Sequence, residues 1–138
     1  MAMTDAYRKQ HNELLDLAGK LSGKLVKEEV IKSADEIINV LSQFASKLNM
    51  HLTMEDKALY PKLMTSTNPK TAQTAREYMT EMGGIKQVVE KYISSWSLSK
   101  NIISEPQKFI DESKGIISAL KARIDKENNI LYPLADSL

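Results

Sequence analysis

Two stretches of this chain carry residues whose types and spacing could do chemistry. His51, Glu55, Leu59, Tyr60 and Pro61 of the first recur at the same spacing as Arg123, Glu127, Leu131, Tyr132 and Pro133 of the second. On a helix, residues four apart share a face. An imidazole and a carboxylate so placed, as at His51 and Glu55, can hold one metal ion together. A guanidinium and a carboxylate, as at Arg123 and Glu127, hold a salt bridge instead. Whether the chain binds metal turns on that one difference between the two copies.

These side chains need elements to position them, and helical periodicity supplies four. Helix one is expected from about Thr4 to Lys24, with the stripe Tyr7, His11, Leu14, Ala18, Leu21 and Leu25. Helix two is expected to begin between Glu28 and Ser33, where Ser33 and Glu36 have capping-box spacing. Its stripe is Ile37, Leu41, Phe44, Leu48, His51, Glu55 and Ala58. Asn68 reads as an N-cap with Pro69 at the first helical position of helix three. That helix carries Ala75, Tyr78, Met82, Ile85, Val89, Tyr92 and Trp96, and Gly83-Gly84 inside it marks a close contact or a bend. Ser104, with Pro106 just inside, opens helix four, whose stripe is Ser113, Ile116, Leu120, Arg123, Glu127, Ile130 and Leu134. Pro61 and Pro133 fall near helix ends, where a kink or a distorted last turn is expected. Tyr60 and Tyr132 read as packing residues at those ends. No strand alternation competes, so the expected fold is all-α: an up-down-up-down antiparallel four-helix bundle in a single domain spanning 1–138.

Depth along such a bundle can be read from the loops. At about 1.5 Å per residue, His51 and Met82 both lie roughly 21 Å from the turn between helices two and three. Arg123 falls at the same depth as Met82 when counted from the next turn. His11, His51, Glu55, Met82, Arg123 and Glu127 are therefore expected in one layer of the core. Buried ionisable groups cost several kcal/mol unless compensated. A divalent cation could supply the compensation, or Arg123 could, with its charge and five donors.

Composition excludes other chemistries. Apolar residues make up 42% and charged residues 27%, as in ordinary globular chains. A net charge of +1 gives no pull toward nucleic acid or an anionic membrane. There is no cysteine, which removes thiolate metal sites, disulfides and cysteine nucleophiles. No apolar run is long enough to span a membrane, and the start of the chain has no signal-peptide pattern, so a cytoplasmic location is expected by default. No nucleophile–base pair or phosphate loop is visible. The chain therefore leans away from being an enzyme, with peroxidase or repair chemistry at a metal as the conceivable exception.

The doubled motif on four helices resembles the hemerythrin-like, or HHE cation-binding, family, over nearly the whole chain. In that family each of four helices offers a histidine, and two glutamates bridge a pair of iron ions. The resemblance implies that His11 is the helix-one ligand, that His51 and Glu55 form the complete first motif, and that Glu127 is the glutamate of the second. It also implies that Met82 and Arg123 stand where ligands would. A thioether is a soft donor suited to copper(I) or haem more than to non-haem iron, so Met82 reads as core filling. The expected metal set is thus His11, His51, Glu55 and Glu127, holding at most one non-haem iron or other divalent metal. Such a site would serve O₂ or NO binding, sensing or iron handling. The alternative is a metal-free structural or regulatory module, with an unidentified protein partner, in which Arg123 replaces the metal charge.

Overall fold

Apolar residues recurring at helical spacing become helix along almost the whole chain. The computed structural model describes residues 2–138, and Met1, the first residue of the expected domain, lies outside the described residues. The elements are α1 (Asp5–Ser22), α2 (Lys27–Lys32), α3 (Ala34–Met54), a π-helical turn (Glu55–Leu59), α4 (Tyr60–Met64), α5 (Pro69–Met82), α6 (Ile85–Ser95), α7 (Ser99–Ser104), α8 (Pro106–Lys126), a second π-helical turn (Glu127–Leu131) and α9 (Tyr132–Asp136). No strand occurs among the described residues. None of these helices is long and apolar enough to cross a membrane.

The second half repeats the first. The short α2 and α7 each have 6 residues, α3 and α8 each have 21, and each π turn has 5. Helix α1 packs on α3, α3 on α6, α6 on α8 and α8 on α1, closing a ring around the core. Two apolar clusters fill it. The larger runs from Leu14 and Leu48 to Trp96 and Phe109. The smaller gathers Leu59, Tyr60, Leu63, Ala75, Tyr78, Leu131, Tyr132 and Ala135.

Several local expectations are met. Asn68 Oδ1 accepts from the backbone N–H of Lys70 at 3.0 Å and of Thr71 at 3.4 Å, capping α5. The Gly83-Gly84 pair breaks helix three into α5 and α6. A Cβ on Gly83 would lie 2.4 Å from the Met79 carbonyl oxygen, whereas one on Gly84 would meet nothing within 4 Å. The break therefore needs the first glycine and not the second.

Others are corrected. Helix two is preceded by a separate turn, α2, and Ser33 makes no capping bond to the helix that follows it. Its hydroxyl donates back to Glu29 Oε1 at 2.8 Å instead. Helix four opens at Glu105 rather than Ser104, because the chain forms the short α7 first.

The distortion expected near Pro61 and Pro133 takes the form of a π-helical turn before each, and the chain stays helical from Ala34 to Met64 and from Pro106 to Asp136. A proline inside a helix lacks an N–H and clashes with the carbonyl four residues back. A π turn directly before each proline re-aims those carbonyls, with the Tyr60 N–H bonding to Glu55 O and the Tyr132 N–H to Glu127 O. The wider turn also slips the stripe by one residue. Ala58 and Ile130, expected inside, are exposed, and Leu59 and Leu131 are buried in their place.

Candidate metal centre

Helix α1 supplies His11, the end of α3 supplies His51, and the first residue of each π turn supplies a glutamate, Glu55 or Glu127. All four are buried, and one ligand atom from each lies within 4.8 Å of the other three. Arg123 joins them from the last turn of α8, 1% exposed. These polar groups form a layer between the two apolar clusters. Met82 is half-buried and reaches the layer through its backbone. Its carbonyl accepts from Arg123 Nη1 at 3.3 Å, and its side chain packs on the smaller cluster.

The guanidinium is shared among three carboxylates. Arg123 Nε donates to Glu127 Oε2 at 3.1 Å, and Nη2 donates to Asp56 Oδ1 at 2.9 Å and to Glu55 Oε1 at 3.4 Å. Its Cζ also lies 5.3 Å from the Tyr60 ring centre. Burial works against the guanidinium charge, but Glu127, Glu55 and Tyr60 outweigh it and raise its pKa. Arg123 is therefore a fixed positive charge.

One such charge does not balance the layer, and the two glutamates divide unequally as a result. Burial pushes both carboxyls up. At Glu127 the bond to His11, the charge of Arg123 and the Tyr60 hydroxyl overcome that and hold the pKa below the usual carboxylate range. At Glu55, burial and the neighbouring Glu127 charge prevail, and the carboxyl is pushed well above that range. The two neighbours thus move in opposite directions. Arg123 sits closer to Glu127 than to Glu55, so Glu127 keeps the negative charge and Glu55 is left needing a proton or a cation.

The imidazoles are oriented to supply that cation with nitrogen. His51 Nδ1 lies 2.6 Å from Gln10 Oε1, and His11 Nδ1 lies 2.8 Å from Asn128 Oδ1, so a proton on either Nδ1 is donated to an amide oxygen. Both Nε2 atoms face the carboxylates, His11 Nε2 at 3.1 Å from Glu127 Oε1 and His51 Nε2 at 2.8 Å from Glu55 Oε1. The His51 contact is short, yet Nε2 has no hydrogen-bond partner. The two atoms approach without the alignment a shared proton requires. Burial holds the His51 pKa down to about 4, so at neutral pH the ring is neutral, and with its one proton on Nδ1 toward Gln10 its Nε2 carries a bare lone pair. A buried lone pair beside a carboxylate oxygen is a poor contact for two acceptors and a good one for two ligands of one ion.

Two further residues, read in the sequence as packing, enter the layer. The Tyr60 hydroxyl donates to Glu127 Oε2 at 2.7 Å. The Tyr132 hydroxyl donates to Glu55 Oε2 at 2.5 Å and lies 3.1 Å from His11 Nε2. Burial, with the nearby glutamates, raises both phenol pKa values, so both hydroxyls stay protonated donors. Gln10, Asn128 and Asp56 were also missed. Asp56 and Asn128 follow the two glutamates directly in sequence, and that adjacency was the available signal.

Two imidazole nitrogens and two carboxylate oxygens converge, a mix that could hold a non-haem iron or another divalent metal. The Arg123 guanidinium beside them donates to both glutamates. A family model described as the hemerythrin HHE cation-binding domain matches residues 2–135. Comparison with curated proteins and with solved structures gives no match.

Proposed function

The chain belongs to the hemerythrin HHE cation-binding domain family, and from that premise we propose that it holds a single non-haem iron rather than a pair. The ligands in this reading are His11 and His51 through Nε2, together with Glu55 and Glu127. The ring of α1, α3, α6 and α8 supports an up-down-up-down antiparallel bundle around them, in one domain.

One observation carries the reading: His51 Nε2 sits 2.8 Å from Glu55 Oε1 with no hydrogen-bond partner. Unpaired buried polar atoms cost about 1–3 kcal/mol and are rare without a reason. A cation between that nitrogen and Glu55 removes the cost and supplies the charge that Arg123 leaves uncompensated.

With four protein ligands, a bound iron keeps positions open for a small ligand such as O₂, NO or peroxide. The chain's own residues prepare the place. Tyr132 offers a hydroxyl proton beside Glu55 and His11, Arg123 fixes the charge of Glu127, and the two apolar clusters exclude water. This arrangement supports a reading of reversible binding, sensing or iron handling.

A second reading has its own observation. Arg123 donates to both glutamates, the arrangement expected of a guanidinium standing in for the ion. In that case Glu55 carries a proton, and the protein is a metal-free structural or regulatory module.

Metal analysis of the purified protein, with an optical spectrum under air and under NO, separates the two. The single-iron reading expects up to one iron per chain and a spectrum that responds to the gas. Two irons per chain would overturn it, and metal-free protein that rejects added Fe(II) would leave the second reading.

A further inference from the structure

The residue that follows each glutamate in the doubled motif has a different partner and a matching charge. Asp56 accepts from the cationic Arg123 at 2.9 Å. Asn128, at the same place in the second copy, sets its Oδ1 2.8 Å from His11 Nδ1. An acid therefore faces the cation and an amide faces the imidazole. The other imidazole also meets an amide, since His51 Nδ1 lies 2.6 Å from Gln10 Oε1. A second contact agrees with this orientation of Gln10, its Nε2 donating to Met54 Sδ at 3.5 Å. Turning the amide over would set its oxygen against the thioether and its NH₂ against the ring N–H.

We propose that Gln10 and Asn128 are positioning residues, each holding one imidazole by Nδ1–H so that Nε2 of both rings is committed to the pair Glu55 and Glu127. The inference deepens the single-iron reading and rests on it only where metal affinity is concerned. Partners of this kind fix the tautomer and the ring plane of a ligating histidine. An amide does so without adding negative charge beside two buried carboxylates. A carboxylate at 128 would bring a further anion next to Glu127, with Arg123 already shared three ways. Neither amide touches Glu55 or Glu127 in the hydrogen-bond network, so their effect must pass through the rings.

The test begins on metal-free protein at neutral pH, where ¹⁵N NMR of the imidazoles reports which nitrogen carries the proton. Nδ1–H on both rings is expected, with His51 Nε2 bare. Gln10→Leu and Asn128→Leu should each lose that signature at their own ring, and Gln10→Glu and Asn128→Asp should keep it. Anaerobic Fe(II) titration of the same proteins should show affinity falling about 10- to 100-fold in the leucine variants, with recovery in the acidic ones. A proton on Nε2 of His51 in the wild type overturns the proposal, as do leucine variants with unchanged rings and unchanged affinity. If the rings behave as expected but no Fe(II) binds even to wild type, the positioning stands and the single-iron reading alone fails.

Discussion

The Tyr60 hydroxyl donates to Glu127 Oε2 at 2.7 Å, so the tyrosine of one motif serves the glutamate of the other. The exchange is mutual, since Tyr132 serves Glu55 at 2.5 Å. The two bonds are not equivalent, because the Glu127 carboxyl is held below the usual carboxylate range and the Glu55 carboxyl is pushed above it. Tyr60→Phe removes a donor from a buried anion and should cost about 1.5–3 kcal/mol in urea unfolding. A cost near zero would show that Glu127 does not depend on that hydroxyl.

Arg123→Ala strips the layer of its fixed cation and should destabilise the metal-free protein by about 3–5 kcal/mol, as for a broken buried pair. Arg123→His should act differently. It restores a histidine four residues before Glu127 and should raise iron content above that of wild type. Unfolding in chelator and metal analysis of both variants provide the check. A neutral Arg123→Ala together with an Arg123→His that gains no metal would refute the idea that Arg123 stands in for an ion.

Glu55 makes the metal-free protein lose stability as pH rises above the ordinary carboxylate range. Its carboxyl is pushed up in the folded state, chiefly by burial. Folded protein therefore binds more protons than unfolded protein above the ordinary carboxylate range. That contribution to stability is complete at low pH and is lost as pH rises through the raised value, with a slope of up to about 1.4 kcal/mol per pH unit. Glu55→Gln mimics the protonated form. In chelator it should remove the decline in stability above the ordinary carboxylate range and stabilise the protein there, while abolishing metal binding.

His51 acts on the opposite side. Its pKa falls from 6.5 to about 4, chiefly through burial, so between those values the unfolded chain takes a proton that the folded chain refuses. Stability must rise with pH across that window and fall by about 3 kcal/mol on acidification from its upper to its lower end. His51→Gln should lack this component. The difference between the two unfolding curves in chelator isolates it from the loss that Glu127 also suffers in acid.

The glycine pair should respond unequally. Gly83→Ala forces a Cβ to 2.4 Å from the Met79 carbonyl oxygen and 2.6 Å from its sulfur, and should cost about 1–3 kcal/mol. At Gly84 a Cβ meets nothing within 4 Å, and Gly84→Ala should be neutral or stabilising by up to about 1 kcal/mol. Equal effects in thermal unfolding would contradict the assignment of the break to Gly83 alone.

The sequence was most legible where spacing alone decides. The pairs His51 with Glu55 and Arg123 with Glu127 follow from helical geometry, and their common depth with His11 follows from the rise per residue. What stayed hidden depends on contacts between distant segments. Nothing local says that the Tyr60 hydroxyl reaches Glu127, or that Gln10 on α1 meets His51 on α3. The register around Pro61 and Pro133 was hidden for another reason. Proline signals a distortion, but the π turn that accommodates it has no composition of its own, so Ala58 and Ile130 were placed one residue out of register. Ser33 misled because a capping serine and one bonding back to Glu29 have the same local sequence.

The polar layer also bears on how the chain folds. Tyr60 and Glu127 are 67 residues apart, Tyr132 and Glu55 are 77 apart, and His11 and Glu127 are 116 apart. Within each half, helices α1 with α3, or α5 and α6 with α8, can collapse on their apolar stripes, but each glutamate takes its tyrosine hydroxyl from the other half. Pairings of such long range pay their loop-closure entropy before returning anything. The layer is thus expected to close late, after the helices have formed, leaving folding rates insensitive to Tyr60 and Tyr132 and unfolding rates governed by them. A protein built this way carries its chemistry at the seam of two halves, and the speed at which that seam opens sets how long the buried glutamates remain hidden from water.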